Sequence, residues 1–184
     1  FPLPRTLFGG AFLYWIGGDL ITLGLVVDLE YENPRLDIHD EFQRFKTHPF
    51  VRSLLQGGTR TAYGAKSLPA GGWWSMPRPW VPGCLLAGDS LGALNVARLK
   101  GVHLAMKSGM LAAEAIYDAL KANRYDEQQL RRFEHLVKES YVYKELYQVR
   151  NFHQGFRHGR RWGLIENGLQ YVTGGVGLFG DLET

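Results

Sequence analysis

Two features of this chain could hold a ligand: the pair Gly88-Asp89, and a glycine twelve residues after that aspartate, Gly101, followed by Val102 at the start of a helical pattern. Gly88 lets backbone approach a bound group without a Cβ in the way. The Asp89 carboxylate accepts hydrogen bonds, as a sugar or polyol requires. A helix opening at Gly101 presents unpaired N–H groups and the positive end of its dipole, suited to an anionic or electron-rich ligand edge. Gly92 and Ala93 are small enough for the intervening loop to pass close to that ligand. The plainer reading is a strand-to-helix crossover carrying an incidental aspartate. Residue types alone leave both open.

A second cluster is Phe8-Gly9-Gly10. Glycines inside an aromatic strand weaken it, so a strand that keeps two of them has either a ligand close to its backbone or a β-bulge. A third is C-terminal. Arg157, His158, Arg160 and Arg161 precede Trp162, Ile165, Leu169, Val172, Val176 and Phe179, spaced by threes and fours. An apolar stripe behind a basic patch suits the headgroup region of an anionic membrane. It equally suits an amphipathic helix docked on its own core. Gly174-Gly175 should stop the helix either way.

The elements that must position these residues follow from periodicity. Leu7–Ile16 and Leu20–Val27 are aromatic and β-branched, and Gly17-Gly18-Asp19 between them has hairpin-turn chemistry. Asp37 caps a helix to about Lys46 with Phe42 and Phe45 on one face. Phe50–Leu55 predicts a further helical turn or two, ending at Gly57-Gly58. Thr59–Ser67 reads as a third strand, Trp73–Met76 as a fourth, and Leu85-Leu86-Ala87 as a short buried strand after the proline-rich stretch Pro77–Pro82. From Gly101 to about Ala122, Val102, Met106, Gly109, Ala113, Ile116 and Leu120 form one apolar stripe. A last long helix is expected from about Asp126 to Tyr147, burying Leu130, Phe133, Val137, Tyr141 and Leu146.

Composition sets bounds. The 184 residues are 45% apolar and 21% charged, ordinary for a folded domain with a real core. A net charge of +3 with no nucleic-acid module signature gives no case for nucleic acid. The single cysteine, Cys84, excludes an internal disulfide and fits a reducing compartment. The longest uncharged stretches, Thr6–Gly18 and Asn167–Gly180, fall short of the roughly 20 apolar residues a spanning helix needs. Gly175–Gly180 formally satisfies GxGxxG but lacks the strand before and helix after that the fingerprint requires. The six histidines include no His-x-x-x-His pair, so no metal site is predicted. No Gly-x-Ser-x-Gly elbow marks a nucleophile.

In order along the chain, Leu7–Tyr14, Leu23–Pro34, Glu41–Pro49, Gly57–Ala65, the Gly83–Gly109 run and Tyr143–Asn151 together resemble the electron transfer flavoprotein–ubiquinone oxidoreductases. The resemblance spans nearly all of the chain. It implies an α+β fold: an antiparallel sheet with helices forming a quinone-binding region over 1–76, then the helical C-terminal part of a FAD-binding domain over 77–151. Residues 152–184 become an amphipathic segment at a membrane surface. It implies FAD held by Gly88, Asp89, Gly92, Ala93, Gly101 and Val102, with Asp89 on the ribityl hydroxyls and the amides of 101 and 102 on the ring edge. Gly9 and Gly10 would bind a ubiquinone carbonyl through main chain, with Phe8 beside the ring.

The family's four-iron–four-sulfur cluster would have its ligands elsewhere, since Cys84 cannot supply four thiolates. The family's N-terminal dinucleotide fingerprint and cluster cysteines are missing and the chain opens without methionine, so an excised and inactive piece is expected. The implied partners are ubiquinone, electron transfer flavoprotein and a membrane surface. The expected location is peripheral, on the cytoplasmic face of a bacterial inner membrane or the matrix face of the mitochondrial one. No side chain need act as acid, base or nucleophile, because the cofactors carry the chemistry. Two alternatives remain: a geranylgeranyl-reductase-like flavoenzyme, against which Phe8-Gly9-Gly10 and Tyr143–Asn151 speak, and a non-catalytic membrane-associating module.

Overall fold

The computed structural model describes residues 2–4, 7–156, 160–178 and 180. The fold is α+β, and its contacts divide it into two units, Phe1–Ala65 and Lys66–Thr184.

The first unit is built on a hairpin of β1 (Gly9–Gly17) and β2 (Leu20–Val27), paired from Gly9↔Val27 to Gly17↔Leu20 with a bulge between Trp15 and Gly17. Gly17 and Gly18 both have positive φ (104° and 55°), which is why glycine occupies the turn. The Trp15 indole N–H donates to the Gly18 carbonyl at 2.8 Å and braces that turn. Phe12 lies opposite Gly24, and its ring covers the space a Cβ there would need. The expected helix follows as α1 (Ile38–Lys46), with the Asp37 carboxylate accepting from the amides of His39 and Asp40. Next comes α2 (Pro49–Leu55), with proline at the first helical position, where no amide is needed.

Thr59–Ser67 forms no strand, and Trp73–Ser75 is a 3₁₀ turn where a fourth strand was expected. Neither segment pairs with either two-stranded ladder, and a strand is only as good as its ladder. The predicted buried strand at Leu85 shrinks to a two-residue ladder, β3 (Trp80–Val81) with β4 (Cys84–Leu85), and Leu85, Leu86 and Ala87 are only half-buried.

The second unit's core is helical: α3 (Val102–Ala122), α4 (Glu127–Glu139) and α5 (Tyr141–Gln148). Leu104, Leu111, Ala112 and Ala115 of α3 pack with Phe133 and Val137 of α4 and Val142 and Leu146 of α5. The single long helix expected after Asp126 is broken at Ser140, whose extended backbone (ψ 169°) closes α4 and caps α5. The Ser140 hydroxyl donates to the Val137 carbonyl and accepts from the Val142 amide. That break advances the helical phase, so Val142 is buried and Tyr141, expected in the core, is exposed.

The α3 stripe also needs correction. Its buried face is Leu104, Ser108, Leu111, Ala112, Ala115 and Ala119, whereas Val102, Met106, Ile116 and Leu120 are exposed. The helix carries apolar residues on two sides, and the periodicity picked the outer one.

The last helix, α6 (Arg160–Val172), is inverted relative to an ordinary surface helix. Its inward residues are Gly163, Glu166 (1% exposed) and Gln170, while Leu164, Ile165, Tyr171 and Val172 face outward. The Glu166 carboxylate accepts from the Leu178 amide at 3.0 Å. After Thr173, Gly174 and Gly175 take positive φ, and the helix ends where two glycines should end it. Of the expected basic cluster and stripe, Arg157, His158 and Phe179, and the side chain of Arg160, lie outside the described residues.

Candidate functional site

Asp89, Gly101 and Val102 come together. They line one open hollow of about 330 Å³ with Leu68, Leu94, Ala105 and Met106. Asp89 sits in a 3₁₀ turn, Gly88–Leu91, that begins and ends on glycines with positive φ, Gly88 at 63° and Gly92 at 77°. The turn is pinned from behind: the Gly88 amide donates to the buried Ser108 hydroxyl at 2.8 Å, and that hydroxyl donates to the Ala105 carbonyl. Gly88 and Gly92 therefore shape the loop without lining the hollow. Ala93 is wholly buried in the helical core, so its contribution is compactness.

Gly101 is the N-cap of α3, and no side chain caps that terminus. A Cβ at Gly101 would sit 3.0 Å from Leu94 Cδ1 and 3.2 Å from the Ala93 carbonyl, so glycine permits the loop to fold tightly onto the helix mouth. The hollow thus offers one carboxylate, one uncapped helix start and apolar walls from Leu94, Val102 and Met106. Such a site suits a planar ligand with a polyol arm and an electron-rich edge.

One contact escaped the sequence reading. Lys66 Nζ lies 2.8 Å from Asp89 Oδ2, an exposed ion pair joining residues 23 apart. It leaves Oδ1 to accept from a ligand, and as an exposed pair it contributes little stability. No local spacing rule connects Lys66 to Asp89, so the signal was absent from the sequence.

The glycines of the hairpin lie differently from one another. The Asp28 amide donates to the Phe8 carbonyl at 2.9 Å, which makes Phe8 and Asp28 a hydrogen-bonded pair of the ladder. Alternation then turns the Gly10 amide toward β2 and the Gly9 amide to the outer edge of the hairpin. A Cβ on Gly9 would collide with the Val26 carbonyl at 2.6 Å; a Cβ on Gly10 would meet nothing within 4 Å. Gly10 shares its strand face with Phe8, Phe12 and Tyr14. The rings of Phe12 and Tyr14 stack at 5.5 Å. The result is a gap in an aromatic row, with open space over the Gly10 backbone.

Cys84 is exposed and is the sole cysteine. One thiol cannot supply the four thiolates of an iron–sulfur cluster, so the residues present do not fit one. Among the described residues, no helix is long and apolar enough to cross a membrane.

Residues 1–68 match the family model described as ETF-QO, ubiquinone-binding. Over 179 residues the chain is 42% identical to the mitochondrial electron transfer flavoprotein–ubiquinone oxidoreductase of Oryza sativa subsp. japonica, covering 97% of this chain and 30% of that protein. It is 48% identical over 151 residues to the electron transfer flavoprotein–ubiquinone oxidoreductase of Pseudomonas aeruginosa, covering 82% of this chain and 27% of the relative. Identity to the human mitochondrial protein is 45% over 178 residues, 92% of this chain and 29% of the relative. The chain spans less than a third of the length of the curated relatives it matches.

Proposed function

We propose that this chain, which corresponds to a stretch of electron transfer flavoprotein–ubiquinone oxidoreductase along nearly its whole length, supplies the ubiquinone-binding region and the C-terminal part of the FAD site of such an enzyme. The observation that carries the flavin half is the hollow in which Asp89 and the uncapped α3 mouth meet. FAD, when bound, supplies the redox chemistry by which electrons pass from reduced electron transfer flavoprotein toward the quinone.

The chain's own residues bind and orient. Asp89 accepts from ribityl hydroxyls through the oxygen that Lys66 leaves open. The α3 start directs N–H groups and a positive dipole end at the ring edge, which favours the electron-rich, reduced form. Gly88 and Gly92 hold the turn, and buried Ala93 keeps the loop tight against α3. At the hairpin, Gly9 offers its edge amide to a quinone carbonyl, and Gly10 leaves the surface open beside Phe8. The four cluster thiolates are not in this chain.

The inverted α6 supports a membrane surface as the third partner. Its polar side is turned inward and Leu164, Ile165, Tyr171 and Val172 face out, an orientation that suits lipid. Because ubiquinone is a lipid-phase substrate, the reading puts this region peripherally at a membrane, and the resemblance implies the matrix face in mitochondria or the cytoplasmic face in bacteria. The test is spectroscopic. The full-length protein should show a flavin band and a cluster signal, both bleached by reduced electron transfer flavoprotein and restored by quinone. A full-length protein without flavin eliminates the reading.

A further inference from the structure

The loop between the Asp89 turn and α3 is closed on itself and then tied to a third helix. Asn95 and Lys100 exchange two backbone hydrogen bonds, at 3.0 and 3.2 Å, and Leu99 between them takes a positive φ of 51°. Such a φ in a branched residue is strained and persists only where its surroundings fix it. Asn95 is completely buried, and its Oδ1 accepts from the Arg98 amide at 3.1 Å. Its Nδ2 donates to Glu145 Oε1 on α5 at 2.7 Å.

The other carboxylate oxygen, Glu145 Oε2, lies 3.0 Å from His103 Nε2, in the first turn of α3. An ionised carboxylate only accepts, so Nε2 carries the proton. The Tyr141 hydroxyl reaches the His103 carbonyl at 3.3 Å, adding a second tie from α5. Burial alone would raise the Glu145 carboxyl. The hydrogen bonds from His103 and Asn95, with the charges of His103 and Arg98, outweigh it and hold the group below its ordinary range.

One carboxylate thus grips both ends of the loop. Asn95 follows Leu94, and His103 follows Gly101 and Val102, all three of which line the hollow. We propose that Glu145 is a positioning residue: its bridge between Asn95 and His103 fixes the α3 mouth relative to Asp89 and so sets the shape of the ligand hollow. Identifying the ligand as flavin rests on the reading above; the bridge itself does not.

The experiment uses the full-length holoprotein and two variants, Glu145→Ala and Glu145→Gln. The readouts are hydrogen exchange of the peptide spanning 94–101 and the affinity of the deflavinated protein for added FAD. Losing a buried hydrogen bond to a charged group predicts about tenfold or more faster exchange in that peptide for Glu145→Ala, and about tenfold weaker FAD binding. Protection in the α3–α4 core should stay unchanged. Glutamine can still accept from Asn95 and can donate to the other His103 tautomer, so Glu145→Gln should restore most of both. Unchanged exchange over 94–101, or loss spread evenly through the helical unit, overturns the proposal. A wild-type protein that binds no flavin sinks the flavin reading instead, and the exchange measurement still decides the bridge.

Discussion

Gly10→Val is the sharpest probe of the hairpin. Glycine costs a strand about 0.5–1 kcal/mol relative to alanine, and β-branched residues are the best strand formers on a scale spanning about 1 kcal/mol. Nothing lies within 4 Å of a Cβ at position 10, and its φ is not among the positive ones. Valine should therefore leave the fold intact or stabilise it by up to about 1 kcal/mol. The same three carbons would fill the gap between Phe8 and Phe12 and hold a quinone carbonyl away from the Gly9 edge amide. Loss of that hydrogen bond alone is worth about 0.5–1.5 kcal/mol, or roughly a two- to tenfold rise in KM, and exclusion of the ring adds to it. The assay is steady-state reduction of a short-chain ubiquinone analogue by the full-length protein, with flavin content and thermal midpoint measured alongside. Gly9→Val is the contrasting variant, since its Cβ would strike the Val26 carbonyl and damage the hairpin. A Gly10→Val protein with normal flavin, an undiminished midpoint and unchanged quinone kinetics refutes the assignment.

Other outcomes follow from the second unit. Gly88→Ala puts a side chain at φ 63° with only ordinary contact to Ala105 at 3.5 Å, so its cost is backbone strain of about 1–2 kcal/mol; chemical denaturation reads it, and a neutral result contradicts the turn geometry. The Glu134 carboxyl is held below its ordinary value by the Lys138 ammonium and by the Trp80 indole, 2.8 Å from Oε2, against the opposing effect of burial. A depressed native pKa gives stability that is complete above the unfolded value, near 4.5, and is lost as pH falls through the native one. Glu134→Gln should flatten that acid limb, followed by Trp80 fluorescence, and an identical limb argues against the pair. Replacing Leu164 and Ile165 on α6 by aspartate should weaken binding to anionic vesicles by at least about tenfold, given the apolar area withdrawn from lipid. Equal sedimentation with vesicles would mean another surface makes the contact.

What the sequence revealed was mostly local. Gly17-Gly18 announced the turn, Asp37 the start of α1 and Gly174-Gly175 the end of α6, because each satisfies a backbone need within a few residues. The order of the Gly88-Asp89 pair, a small-residue loop and a helix start is legible in the sequence, and in the structure Asp89 and Gly101 line one hollow. Phase and partnership were not legible. Ser140 passes for an ordinary helical residue until its hydroxyl is seen capping α5, and Tyr141 was misplaced with it. Thr59–Ser67 has strand composition but no neighbour to pair with. Glu145 sat inside a recognised motif, yet its grip on Asn95 and His103 spans 50 and 42 residues, beyond any periodicity.

The two-sided character of α3 has a consequence for how the chain tolerates change. Alanines 112, 115 and 119 set the spacing to α4, where an added methylene would force two helices apart. Met106 and Met110, on the other flank, are unbranched and readily reshaped. The helix thus has one stiff, packed side and one compliant, exposed side. Substitutions at Ala112, Ala115 and Ala119 should therefore cost more stability than substitutions at Met110, while Met106 is held by its place in the wall of the hollow.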